Sequence, residues 1–321
     1  VSAAVERIVS MNRNLLAGLL LLAVLLPLGC AAEPTLGTVR VAYYEGTEQE
    51  ALAQLTRLVL EDRGYGVELV QSESLQQAHE AVAAEEADLL WAYGWDVWHL
   101  VLKHDITCGD ADLMLERIAA EDAAHGIAWV GAAPCLRYGS LAVRRTDARL
   151  EEVRSISDLV AHLRYQDPAV SLCNPSPRSE QPGAVEAMMR YYGLTLRAEK
   201  VVYDTYSGCL QRLADADCTA SYAQSNDPAL ATLDLRLLED DRHSFQRSHL
   251  STGFSQDALR RYPGLERIVK ELAAALSCQT LVDVQISAEN SRTTMTAAAK
   301  AVLEDRRMIG ARRRRPTRAW E

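Results

Sequence analysis

From residue 39 onward the chain alternates short apolar runs with amphipathic stretches of helical spacing. The pattern predicts strands at residues 39–43, 67–70 and 88–91, with helices at 47–62 and 75–84 between them. After a break it resumes, with strands at 140–143, 170–173, 201–204 and 218–223 and helices at 157–164, 183–192 and 207–214. Strand, helix, strand in succession is the rhythm of a mostly parallel sheet flanked by helices. Residues 256–305 read as largely helical, broken at Tyr262-Pro263-Gly264. Two α/β units with a helical closing segment predict two lobes facing each other across a ligand cleft. Residues 33–139 form the first part of lobe 1, 140–245 lobe 2, and 246–305 the completion of lobe 1 with the C-terminal helices. The chain is expected to cross between lobes near 138–141 and 242–250. Ligands in open α/β sheets collect at the carboxyl ends of strands, so the residues there are the candidate site.

Ahead of the first strand the pattern changes. Residues 15–28 are an apolar run, shorter than the roughly 20 residues a membrane-spanning helix needs, and Gly29-Cys30-Ala31-Ala32 follows it. With Arg13 before the run, residues 1–32 read as a signal peptide starting at Met11. Leu26-Pro27-Leu28-Gly29-Cys30 looks like a bacterial lipobox, departing from it at Pro27, where leucine is usual. Lipidation of Cys30 would anchor the chain to the membrane, and the alternative is plain cleavage near Ala32. Both place the protein outside the cytoplasm, periplasmic or at the cell surface. A net charge of −10 argues against nucleic acid as a partner, since phosphate binding needs a basic face. The basic run at 312–315 belongs to a solvated tail, residues 306–321. Six cysteines follow Cys30, at 108, 135, 173, 209, 218 and 278; disulfides and buried thiols both remain open for them. No CxxC motif or zinc-type histidine spacing occurs, so neither metal nor cofactor is expected.

The candidate chemistry lies in aromatic residues. "DLLWAYGWDVW", residues 88–98, holds three of the five tryptophans of a chain with only two phenylalanines. The strand ends bring Tyr43 and Tyr44, then Trp91, Tyr93 and Trp95, then Tyr206 and Tyr222. Trp98, by its spacing, packs into the core. Electron-rich rings with polar handles suit a cation, and each ring face contributes about 0.5–2 kcal/mol toward a quaternary ammonium. A carboxylate on the same ligand would be opposed by Arg137 or Arg178. Alternation along a strand sends Tyr43 and Tyr44 to opposite faces, and the sequence leaves open which of them faces the cleft. An exported enzyme would need a nucleophile and a base. Cys135, Cys209, His243 and His249 are the candidates, but no Gly-x-Ser-x-Gly, phosphate loop or dinucleotide fingerprint joins them, and the chain reads as a binding protein.

Residues 39–69, "VRVAYYEGTEQEALAQLTRLVLEDRGYGVEL", resemble the opening of the substrate-binding proteins for glycine betaine, choline and related osmoprotectants, an OpuAC-like family. Thr47-Glu48-Gln49 matches its helix start, and "EEADLLWAYGW" its next strand, with Tyr93 on the family's tyrosine. "GIAWVGAAPCLRYGSLAVRR" resembles the crossing into the second lobe, and "YDTYSGCLQRLADADCTASYAQSNDPAL" a late second-lobe segment. The resemblance runs from about Val39 to Asp305. It implies a type II periplasmic-binding fold that delivers its ligand to the permease subunits of an ABC transporter. It places Tyr93 and Tyr222 at the cleft, with Thr47 and Gln49 at a helix start facing it. The chain departs from the family at Leu136-Arg137-Tyr138, where the family has two asparagines, and around Phe245-Gln246-Arg247; both departures fall where the cleft is lined. The expected ligand site comprises Tyr43, Tyr44, Thr47, Gln49, Trp91, Tyr93, Trp95, Arg137, Tyr138, Arg178, Tyr206 and Tyr222, and its ligand is a quaternary amine or, as the alternative, a different cationic amine or amino acid, captured for transport or for sensing.

Overall fold

The computed structural model describes residues 36–104, 110–165, 171–175, 184–194, 200–290 and 293–310. Cys30, Cys108 and Arg178 lie outside the described residues. The first three strands, β1 (Thr38–Tyr44), β2 (Gly66–Ser72) and β3 (Leu89–Tyr93), are parallel and linked by α1 (Thr47–Asp62) and α2 (Leu75–Ala83). Two short helical turns, Gly94–Asp96 and Val97–Val101, lead toward α3 (Ala111–Asp122). The long strand β4 (Ile127–Arg144) then leaves this half of the sheet. Beyond it come α4 (Ile156–Tyr165), β5 (Leu172–Pro175), α5 (Ala184–Tyr191), β6 (Val201–Asp204), α6 (Tyr206–Ala214), β7 (Ala220–Gln224) and β8 (Leu235–Leu237). Strand β9 (Arg247–Ser255) returns to the first half, and α7 (Gln256–Arg261), α8 (Leu265–Ala275), α9 (Cys278–Asn290) and α10 (Met295–Asp305) close the chain.

The strand order is β2-β1-β3-β9-β4-β7-β5-β6, with β8 also on β4. Strand β4 joins the halves: residues 127–138 pair antiparallel with β9, and residues 139–142 pair with β7. The register with β9 slips between Val130 and Ala132 and again before Leu136. Such irregularities bend a strand and re-aim its side chains. Each half is covered by helices on both faces, giving two α/β lobes. In the first, Leu89, Trp91 and Tyr93 face a core built with α1 and α8, while Leu90 and Ala92 face Ala78, Trp95 and Met114. In the second, one core gathers α4, α5 and Tyr222, and the other Cys173, Leu210 and Leu213.

One boundary changes the reading of the aromatic stretch. Strand β3 runs to Tyr93, two residues past the expected end, so Trp91 is inside the strand. All five of its residues are buried, as in a parallel strand covered on both faces. Trp91 is 1% exposed, and its indole N–H donates to the Thr56 hydroxyl at 2.9 Å. It belongs to the core and is no wall of the cleft. Trp98 packs in the core as its spacing suggested, its ring stacked on His104 with centroids 3.9 Å apart.

Candidate functional site

The site grows from the point where β4 changes partners. Tyr138 lies at the end of its β9 pairing and Gly139 at the start of its β7 pairing. Around them Trp95, Arg137, Tyr138 and Tyr222, together with Gln224 and Gln246, line a narrow seam between the lobes. Its volume is about 10 Å³, room for at most one water. Trp95 is stacked flat on His99, centroids 5.3 Å apart, and its backbone N–H donates to the Ser248 hydroxyl at 2.7 Å. Tyr222 is buried and packs edge-on against Tyr206 and obliquely on Phe245. The Tyr206 hydroxyl donates to Asp227 at 2.6 Å. Gly139 is what admits the Tyr222 ring: a Cβ there would stand 2.5 Å from its Cε2 and 2.7 Å from its hydroxyl. Gly139→Ala is therefore expected to destabilise the protein by about 1–3 kcal/mol through overpacking. Chemical denaturation measures it, and a change below about 0.5 kcal/mol would show that the ring moves aside freely.

The Arg137 guanidinium sits 3.8 Å from the centroid of the Tyr93 ring. Its Nη2 reaches both oxygens of Asp96, at 2.6 and 2.5 Å. The carboxylate expected to oppose Arg137 thus comes from the chain itself. Burial alone would pull this guanidinium down, but the charge of Asp96 outweighs it and holds the group above its ordinary value. The Tyr93 hydroxyl donates to Glu48 Oε1 at 2.8 Å and touches the sulfur of Cys135 at 3.4 Å. Burial, reinforced by the Glu48 charge, pushes the Tyr93 hydroxyl well up, so it stays protonated. Asn226 Nδ2 donates to Glu48 Oε1 at 2.9 Å and to the Tyr93 hydroxyl at 3.0 Å. Desolvation raises the Glu48 carboxyl above its ordinary value against the opposing pull of Arg137.

Cys135 is bonded to Cys278, tying β4 to the start of α9. Cys173, Cys209 and Cys218 are buried thiols of the second lobe. Neither Cys135 nor Cys209 is thereby an exposed nucleophile.

Of the expected residues, the fold brings Tyr93, Trp95, Arg137, Tyr138, Tyr206 and Tyr222 together. Gln49 does not join them; it is buried on the core side of α1, one helical position of about 100° from Glu48. Tyr43 and Tyr44 line a separate hollow of about 430 Å³ with Glu45, Glu50 and Gln71, and Tyr43 donates to Gln71 at 3.3 Å. Thr47 borders that hollow and also a chamber of about 320 Å³ shared with Glu48, Asn226, Asp227, Gln285 and Glu289. Glu48, Asp96 and Asn226 escaped the sequence reading. Glu48 entered only as the middle residue of the Thr47-Glu48-Gln49 helix start, of which Thr47 and Gln49 were expected at the cleft, and Asn226 lies two residues beyond the end of β7.

The chain belongs to the family described as "Substrate binding domain of ABC-type glycine betaine transport system", which matches residues 37–305. A glycine-betaine-binding protein of Pseudomonas aeruginosa is 22% identical over 85% of this chain and 89% of its own length. The ergothioneine transport permease/ergothioneine binding protein EgtU of Helicobacter pylori is 23% identical over 82% of this chain, which spans only 47% of that protein. Among solved structures, apo YehZ from Escherichia coli superposes with a TM-score of 0.72 at 20% identity, covering 84% of this chain and 99% of that one. A glycine betaine/carnitine/choline ABC transporter structure gives 0.74 at 17% identity with the same coverage. The family resemblance and the two-lobed α/β fold are both borne out. The family consists of extracytoplasmic solute-binding proteins that serve ABC permeases, and no helix among the described residues is long and apolar enough to cross a membrane.

Proposed function

We propose that this substrate-binding protein captures a small cationic amine of the quaternary-ammonium class between its lobes and hands it to ABC permease subunits. The lobes part about Tyr138-Gly139 and the start of β9, admitting the ligand to the seam. Lipidation of Cys30 holds the protein at the membrane. The observation that carries the reading is the guanidinium of Arg137 on the Tyr93 ring: these rings already hold a cation by its face. A second guanidinium, that of Arg247, lies over Tyr138 at 5.4 Å. Glycine betaine, in the name of the Pseudomonas relative, is a quaternary ammonium compound.

Calorimetric titration of the full chain with choline, glycine betaine and carnitine tests this. Micromolar binding of at least one is expected, weakened about 2- to 30-fold by Trp95→Ala or Tyr222→Ala, as the loss of one ring face implies. Failure of every quaternary amine to bind would reject the reading. Glu48 adds a pH signature. It faces the Tyr93 hydroxyl, Asn226, Arg137 and Asp96, and its carboxyl is raised by burial. A cation binds the ionised form, so affinity is expected to rise with pH as Glu48 ionises. It falls as pH drops through a value above the ordinary 4.5 of a glutamate. Glu48→Gln should flatten that profile, and an unchanged profile in the variant would assign the titration elsewhere.

A further inference from the structure

Asn226 carries hydrogen bonds from lobe 2 directly to lobe 1. Its Nδ2 donates to Glu48 Oε1 at 2.9 Å and to the Tyr93 hydroxyl at 3.0 Å, and that hydroxyl donates to the same Glu48 oxygen at 2.8 Å. Each corner of this triangle is rigidly mounted. Glu48 sits in the first turn of α1, and Tyr93 ends β3 with its ring fully buried. Asn226 lies in a turn closed by the Asp227 N–H on the Gln224 carbonyl at 3.2 Å. That turn is fastened to the crossing strand: the Ser225 N–H donates to the Tyr138 carbonyl at 2.9 Å, and the Tyr138 N–H to the Ser225 hydroxyl at 3.2 Å. Asn226 therefore moves with lobe 2, while its two partners move with lobe 1.

The neighbours fix the orientation of the amide, because turned over it would set its oxygen against the Glu48 carboxylate. In the orientation found, Asn226 is 6% exposed and its Oδ1 is buried without a hydrogen-bond partner. Parting the lobes would return that oxygen to water. A hydrogen bond to a charged acceptor favours closure by about as much as one stranded acceptor opposes it. The second bond, to Tyr93, tips this balance toward closure, as does the packing of Trp95 of lobe 1 and Tyr222 of lobe 2 along the seam. All of these contacts are made by groups of the chain itself.

We propose that Asn226 is a positioning residue for lobe closure: its amide latches lobe 2 onto Glu48 and Tyr93 before any ligand arrives, so that the free protein exchanges between open and closed forms with the closed one in the majority. A ligand enclosed by the lobes selects this form, and its apparent affinity scales with the fraction of protein already closed. The latch acts in this way whichever ligand the cleft takes.

Small-angle X-ray scattering of the full chain, with no ligand added, tests the latch. The parent is expected to scatter as the closed shape. Asn226→Ala should lower the ratio of closed to open protein about tenfold and give a larger radius of gyration. Asn226→Asp keeps the shape of the side chain and serves where the alanine variant fails to fold. It sets a second carboxylate against Glu48, with Tyr93, Arg137 and Asp96 around the pair and Asp227 and Glu289 across the chamber. The two like charges repel at neutral pH, and a shared proton removes the repulsion in acid. Asn226→Asp should therefore be open at neutral pH and grow compact as the pH falls below about 5, the opposite of the parent, whose latch loosens as Glu48 takes up a proton. An open parent, unchanged scattering from Asn226→Ala, or indifference of Asn226→Asp to pH would each overturn the proposal. Each outcome is read without ligand, so failure of every amine to bind would reject the proposed function and leave the latch standing.

Discussion

Replacing Arg137 with alanine is expected to lower the stability of the protein by about 3–5 kcal/mol, because it strips the counter-charge from a largely buried carboxylate. Arg137 is 8% exposed and Asp96 9%. The guanidinium meets both Asp96 oxygens and lies on the Tyr93 ring, so one substitution removes an ion pair and a cation–π contact together. At about 2–4 °C per kcal/mol for a chain of this size, the melting temperature should fall by roughly 6–20 °C. Arg137→Lys should give an intermediate loss, since an ammonium is a point charge with no planar face to lay on the ring. Arg137→Ala combined with Asp96→Asn should recover part of the loss, because the second change removes the stranded charge. Thermal denaturation of the four proteins reads all of this. A single alanine variant melting within about 2 °C of the parent would mean that Asp96 finds water or another partner, and that the pair contributes little.

This pair also shows where the sequence stops being legible. Elements with a strong period were readable: the helix expected at 47–62 is α1, and the strand expected at 201–204 is β6, each to the residue. The family was readable too, from segments such as Thr47-Glu48-Gln49 and residues 126–145 lying in order along the chain. The long strand β4 was not. Only residues 140–143 of it showed a run of strand character, because Gly131, Pro134 and two slips of register break the alternation that marks a strand. With β4 and its partner β9 unseen, Arg137 could be placed near the cleft but not against Asp96, a contact 41 residues away in sequence. Trp91 was misplaced for a related reason. An aromatic residue at an apparent strand end and one two residues inside the strand differ only by where the strand stops, and that is set by pairing with β9, where Tyr93 meets Leu250. Glu48 and Gln49 are neighbours in sequence, and only the rotation of α1 against its core decides which one reaches the site.

The disulfide between Cys135 and Cys278 makes the second large expectation. It closes a loop of 143 residues, for which the chain-entropy estimate is about 5 kcal/mol, and removing native disulfides typically costs about 2–5 kcal/mol. Cys135→Ala with Cys278→Ala is therefore expected to unfold at a clearly lower temperature than the parent. Treating the parent with a strong reductant should bring it down to the level of the variant, and the variant itself should not respond. Reductant shifting both proteins equally, or neither, would show that the bond does not form or does not stabilise. The bond's position adds an effect on binding that its entropy does not. Cys135 lies in the irregular part of β4, its sulfur against the Tyr93 hydroxyl, and Cys278 opens α9, which carries Gln285 and Glu289 to the chamber. The link thus fixes the carrier of the seam relative to the wall of the chamber. Cutting it should weaken ligand binding several-fold even under conditions where the variant is fully folded, because Tyr93, Glu48 and Asn226 share one set of hydrogen bonds that depends on where that strand sits. Unchanged affinity in a folded, bond-free variant would place the strand's geometry under the control of the β9 pairing alone.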